Sequence, residues 1–145
     1  MKMQICRKRL LIVSVCLLLG SGGMLAQQRL NDKDVEETMK NLNEDAEQFR
    51  SQFDSAVSKS TIRNTDQEKQ AKALVEHFQK KTEDMVDEFK DTKKTHDDLL
   101  IVRNDANKID KVLSGTHLDD PKLNTQWAKI KSELGMISGA FGIKE

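Results

Sequence analysis

Three histidines, His77, His96 and His117, are the side chains of this 145-residue sequence best suited by type to metal or acid–base chemistry. Their spacing suits neither. No two stand three or four apart, as ligands sharing a helix face must. A bundle metal site takes Glu-x-x-His pairs from facing helices, whereas Glu76 and His77 are adjacent and point to different sides. His77 sits beside an apolar seam, His96 in a first helical turn and His117 in a connection, so all three read as solvated or capping histidines. The Cys-x-x-Cys-His of haem attachment, a Gly-rich phosphate loop and a Gly-x-Ser-x-Gly nucleophile turn do not occur. The expectation is a protein that is not an enzyme and holds neither cofactor nor metal.

Carboxylates offer one more candidate. Asp84, Asp87, Glu88 and Asp91 fall along one helix face. Like charges at these spacings repel, which invites a cation or flanking bases. Lys80, Lys81, Lys90, Lys93 and Lys94 supply the bases. A solvated acidic ridge is expected, with weak binding of a divalent cation or small ligand as the alternative. No Asp-x-Asp-x-Asp-Gly loop accompanies it. Further along, Ala128, Ser132, Gly135 and Gly139 form a small-residue stripe, which predicts close approach of a neighbouring helix. Trp127, the sole tryptophan, lies on an apolar seam and is expected in the core.

Apolar residues repeat at helical spacing throughout the region that carries these groups. The first seam is Val35, Met39, Leu42, Ala46, Phe49, Phe53, Ala56, in steps of four and three, near 3.5 residues per turn. Asn31 caps it, Asp32 and Asp34 fill its first turn, and Leu30 can staple onto Val35. Ser58 to Asn64 reads as a connection. Thr65 and Glu68 have the spacing of a capping box and open a second seam: Ala71, Leu74, Phe78, Thr82, Met85, Phe89. The third runs Leu99, Val102, Ala106, Ile109, Leu113, with Gly115 as its C-terminal cap. The fourth follows Asp120-Pro121, an acidic cap with proline in the first turn, through Trp127, Ile130, Leu134, Ile137 and Phe141. Thr92 to His96 has neither Gly nor Pro, so a continuous second and third helix, giving a three-helix bundle, is the alternative to a break capped by Thr95. The expected fold is all-α, an antiparallel up-down four-helix bundle with coiled-coil-like seams.

The composition fits. Charged residues are 33% and aromatics 4%, with one Pro, as in solvated helices rather than a β-sandwich. Lysines and arginines balance the acids at 24 each, which argues against a basic nucleic-acid face. Residues 1–26 hold four of those bases and no acid, leaving the remainder mildly acidic. Lys2 to Arg9, the apolar run Leu10–Leu19 and Gly20 to Ala26 are the three parts of a cleavable secretory signal, with cleavage expected after Ala26. The run is shorter than the ~20 residues a membrane span needs, so no stable anchor is expected. Cys6 and Cys16 both lie within this segment, and Val15 before Cys16 is too large for a lipidation site. Residues 27–145 then form one domain without cysteine, held by packing alone in an oxidising, periplasmic or extracellular setting.

Asp45-Ala-Glu-Gln-Phe-Arg50, Phe53-Asp54-Ser-Ala56, Asp87-Glu-Phe-Lys-Asp91, Lys108-Ile-Asp-Lys111 and Gln126-Trp-Ala128 resemble a recurrent pattern in small exported helical proteins of soil bacteria. That resemblance implies an exported helical fold and no activity. The chain is also similar in outline to periplasmic helical chaperones, without their Leu-Thr-x-x-Gln signature or basic cradle. The expected role is a structural or protein-interaction module, binding an unknown protein partner or itself. Val57, Ile62, Leu100 and Ile101 are the candidates for its apolar contact patch.

Overall fold

The computed structural model describes residues 30–116, 118 and 120–143. The expected export signal and its expected cleavage point, both cysteines and His117 lie outside the described residues. Four helices follow in order: α1 (Asp32–Val57), α2 (Asp66–Thr92), α3 (His96–Thr116) and α4 (Pro121–Ala140). Among the described residues there is no strand, and no helix is long and apolar enough to cross a membrane.

Capping chemistry sets the helix starts. Asn31 accepts a hydrogen bond from the Asp34 N–H, and Asp120 accepts from Lys122 and Leu123 with Pro121 in the first turn. Thr65 accepts from the Glu68 N–H, but Glu68 returns its carboxylate to the Asn64 N–H rather than to Thr65. The box therefore closes one residue early, because the Thr65 N–H is already bonded to the Ile62 carbonyl.

The break between α2 and α3 is real, which removes the three-helix alternative, yet its chemistry departs from expectation. Lys93 adopts the left-handed conformation (φ 55°) usually left to glycine and returns its N–H to Phe89. The Thr92 hydroxyl accepts from the Lys94 N–H. Thr95 precedes α3, but its buried hydroxyl has no hydrogen-bond partner and caps nothing. Gly115 does not end α3 either. The helix runs on to Thr116, whose hydroxyl donates to the Val112 carbonyl. A glycine cap closes α4 instead: Gly142 (φ 69°) donates to Gly139 and Ile143 donates to Ser138, the paired bonds of a Schellman motif.

Most seam positions are buried as spaced, while Leu74, Leu113 and Phe141 are only partly buried. Met39, Leu42, Phe49 and Phe53 on α1 are fully covered, as are Phe78 and Met85 on α2, Leu99 and Ile109 on α3, and Ile130 and Ile137 on α4. At the end of α1 the buried residue is Val57 rather than Ala56, because a straight helix drifts past a strict 3.5 repeat. Trp127 is buried against Phe49, 4.8 Å between centroids, and edge-on to Phe78. Helix α1 packs along both α2 and α4, and α2 packs along α3, but α3 and α4 scarcely touch.

Candidate functional site

The predicted acidic ridge does not converge. Asp84 turns to Lys81 at 2.8 Å and Asp87 to Lys90 at 3.0 Å, both on the same helix. Glu88 instead faces Asp98 of α3, and the hydrogen bond between the two carboxyls raises the Glu88 pKa. Asp91 is exposed. No group of three or more His, Cys, Asp or Glu side chains among the described residues is placed to hold a metal ion.

Two charged clusters between helices escape a reading of spacing, because their members come from different helices. Between α2 and α3, His77 Nδ1 lies 2.5 Å from Asp105 Oδ2, and Lys108 holds the other oxygen at 3.0 Å. Asp105 is buried while His77 keeps half its side chain in solvent. Between α1 and α4, Asp45 and Glu133 are 3% and 6% exposed. Gln126 Nε2 donates to Asp45 Oδ1 at 2.9 Å, and Lys129 Nζ donates to the same oxygen. Lys129 Nζ also stands 2.7 Å from Asp45 Oδ2 but lacks the alignment to bond it. Burial first, then the Asp45 charge, pushes the Glu133 carboxyl up to about 7. Asp45 and Glu133 stand next to the seam residues Ala46 and Leu134 in the sequence, a position from which neither their burial nor their pairing can be read.

The third feature is a gap. Because α3 and α4 stay apart, a groove runs between them, crossed by the Asp110–Lys131 ion pair at 3.1 Å. Asp110 Oδ1 also accepts from Trp127 Nε1 at 2.8 Å. On one side of this bridge Arg103, Ala106, Asn107, Leu134, Gly135 and Ser138 line a hollow of about 320 Å³. On the other, Leu113, Ser114, Leu118, Asn124, Trp127 and Ala128 line a second of about 320 Å³. Of the small-residue stripe of α4, Ala128 and Gly135 line this groove while Ser132 and Gly139 are exposed outside it, and the stripe draws no helix in: a Cβ on Gly135 would meet nothing within 4 Å. Of the expected apolar patch, Val57 and Ile62 are buried in the core, whereas Leu100 and Ile101 are 44% and 38% exposed. Leu100 adjoins the groove wall in sequence and Ile101 does not share its face. Comparison with protein-family models, with curated proteins and with solved structures finds no match to this chain.

Proposed function

We propose that the protein is an exported, non-catalytic helical module that binds a partner protein in the groove between α3 and α4. One observation carries this reading: the fourth seam of the helix set, α3 against α4, is left open while the other neighbours pack fully. Its walls offer Ala106, Leu113, Ala128, Leu134 and Gly135 between polar rims. An amphipathic helix suits such a groove better than an extended strand, since helical walls present no unpaired backbone groups for a strand to bond.

The module's architecture, in this proposal, is an antiparallel up-down bundle spanning residues 27–145 after a cleaved signal at residues 1–26. Cross-links between helices support it. Glu36, Asn43 and Arg50 of α1 meet Lys93, Thr82 and Glu76 of α2, one number rising as the other falls. Lys81 and His77 of α2 meet Asp98 and Asp105 of α3 in the same sense. The rings of Phe89 and Phe141, at the C-terminal ends of α2 and α4, stack edge-on. Export rests on the basic, apolar and small-residue order of residues 1–26.

Photo-cross-linking groups placed at Gly135 and Asn107 in the exported protein should trap a discrete adduct that the same group at Glu47, exposed on α1, does not. A Gly135→Leu change fills the groove and should abolish the Asn107 adduct while leaving the melting temperature within a few degrees. Adducts equal at all three positions, or absent from the groove, would refute the assignment. Adducts of twice the chain mass would identify the partner as a second copy.

A further inference from the structure

Asp45 of α1 and Glu133 of α4 are both buried and flank one ammonium, Lys129 Nζ, at 2.7 Å from Asp45 Oδ2 and 4.0 Å from Glu133 Oε1. Two ionised carboxylates cannot share such a site at low cost, because burial raises the cost of each charge and proximity adds repulsion. The hydrogen-bond inventory repeats the point. Gln126 and Lys129 both donate to Asp45 Oδ1 and the Lys129 ammonium lies 2.7 Å from Asp45 Oδ2, whereas Glu133 Oε2 is buried without a donor. A proton on one acid supplies a donor to the other and removes one charge.

We propose that Asp45 and Glu133 form a one-proton clasp between α1 and α4, which holds α4 down when the pair is singly protonated and loosens it when the proton leaves. The charges that act on Glu133 are those of Asp45 from α1 and Lys129 from its own helix. Glu44 of α1 acts on Lys129 from further out. Helix α3 brings Arg103 and Asp110 only to the opposite side of α4, in the groove with Lys131. Helix α2 reaches α4 through the rings of Phe78 and Phe89. One lysine therefore faces two acids, and it already serves Asp45: it lies 4.0 Å from Glu133 Oε1 but within 2.9 Å of Asp45 Oδ1.

The direction of the effect follows from where the proton is held. Glu133 binds its proton more tightly in the packed state than in an opened one, so the clasp is fully closed in mild acid. It weakens as pH rises toward about 7, the value to which the Glu133 carboxyl is pushed, and changes little beyond. Lys129, whose own pKa is raised by its hydrogen bond to Asp45, stays charged throughout and keeps the deprotonated pair from flying apart entirely.

Trp127 is a built-in reporter, since it lies on α4 with its ring against Phe49 of α1. In the full chain, its emission should shift to the red with a midpoint near pH 7. Amide exchange in α4, corrected for the intrinsic effect of pH, should quicken by about 10- to 100-fold between pH 5.5 and 8.5, one decade for each pKa unit realised. The neutral Glu133→Gln protein should show neither change, whereas a protein with His77, His96 and His117 all replaced by Gln should keep both. Carbon-13 resonances of the Glu133 carboxyl give a second reading that needs no variant. A midpoint near 7 that falls by a unit or more in Asp45→Asn supports the clasp. Coincident pH profiles for wild type and Glu133→Gln, or a Glu133 carboxyl titrating near 4.5, would overturn it.

Discussion

Trp127 does at one position what several residues share elsewhere. Its ring joins Phe49 and Phe78, and its Nε1 gives Asp110 the donor that fixes the carboxylate facing Lys131. Trp127→Phe keeps much of the ring packing but removes that donor, and should destabilise by about 1–3 kcal/mol in a denaturant titration. The neighbouring core positions are not equivalent. Phe53 is fully buried, so Phe53→Ala leaves an enclosed cavity and should cost about 3–5 kcal/mol. Leu134 borders the open groove, so Leu134→Ala leaves a space that water can reach and should cost only about 2 kcal/mol. On the ridge, Asp87 pairs with Lys90. Asp87→Asn trades a weak surface pair for relief of weak repulsion and should stay within about 0.5 kcal/mol. Millimolar calcium or magnesium at fixed ionic strength should leave its melting temperature and that of the wild type equally unmoved.

At the scale of the element, the ends of helices decide more than their middles. The turn from α2 into α3 is made without glycine or proline, and Lys93 bears the left-handed conformation. Its side chain compensates, lying 4.8 Å over the Phe89 ring and 3.4 Å from Glu36. Lys93→Val adds a β-branch to that conformation and deletes both contacts, so a loss of about 1–3 kcal/mol is expected from thermal melts. Gly135 is the reverse case: it sits within α4 with open space where a Cβ would stand. Gly135→Ala should stabilise the fold by about 0.5–1 kcal/mol, since it restricts the unfolded chain and meets no obstacle. A destabilising Gly135→Ala would mean that α3 closes over α4 in solution. The helix spans themselves were legible because a four-three repeat of apolar residues has one low-energy solution. The α2–α3 boundary was legible only as a choice, because any residue can be driven into the left-handed region when the contacts around it favour the turn.

For the whole molecule, the proton clasp predicts a stability curve that tilts against alkali. Glu133 is held above its unfolded value, so its contribution is fully present below about pH 4.5 and is lost as pH rises through about 7. Chemical denaturation at pH 5 and pH 8.5 should differ by about 1–3 kcal/mol in favour of acid, a gap that Glu133→Gln removes. By itself the sequence determined the all-helical class, most of the buried seams and the caps at Asn31, Thr65 and Asp120, but not whether the second and third helices were one. Each depends on residues within a turn or two of one another, so spacing alone encodes it. Tertiary structure decided the rest. Glu133 reads as one more surface acid until α1 brings Asp45 against it, His77 as solvated until α3 supplies Asp105, and Gly135 as a packing surface until α3 stands away from it. Each pairing joins residues 28 or more positions apart or on separate helices, and helical periodicity carries no information about which faces will meet.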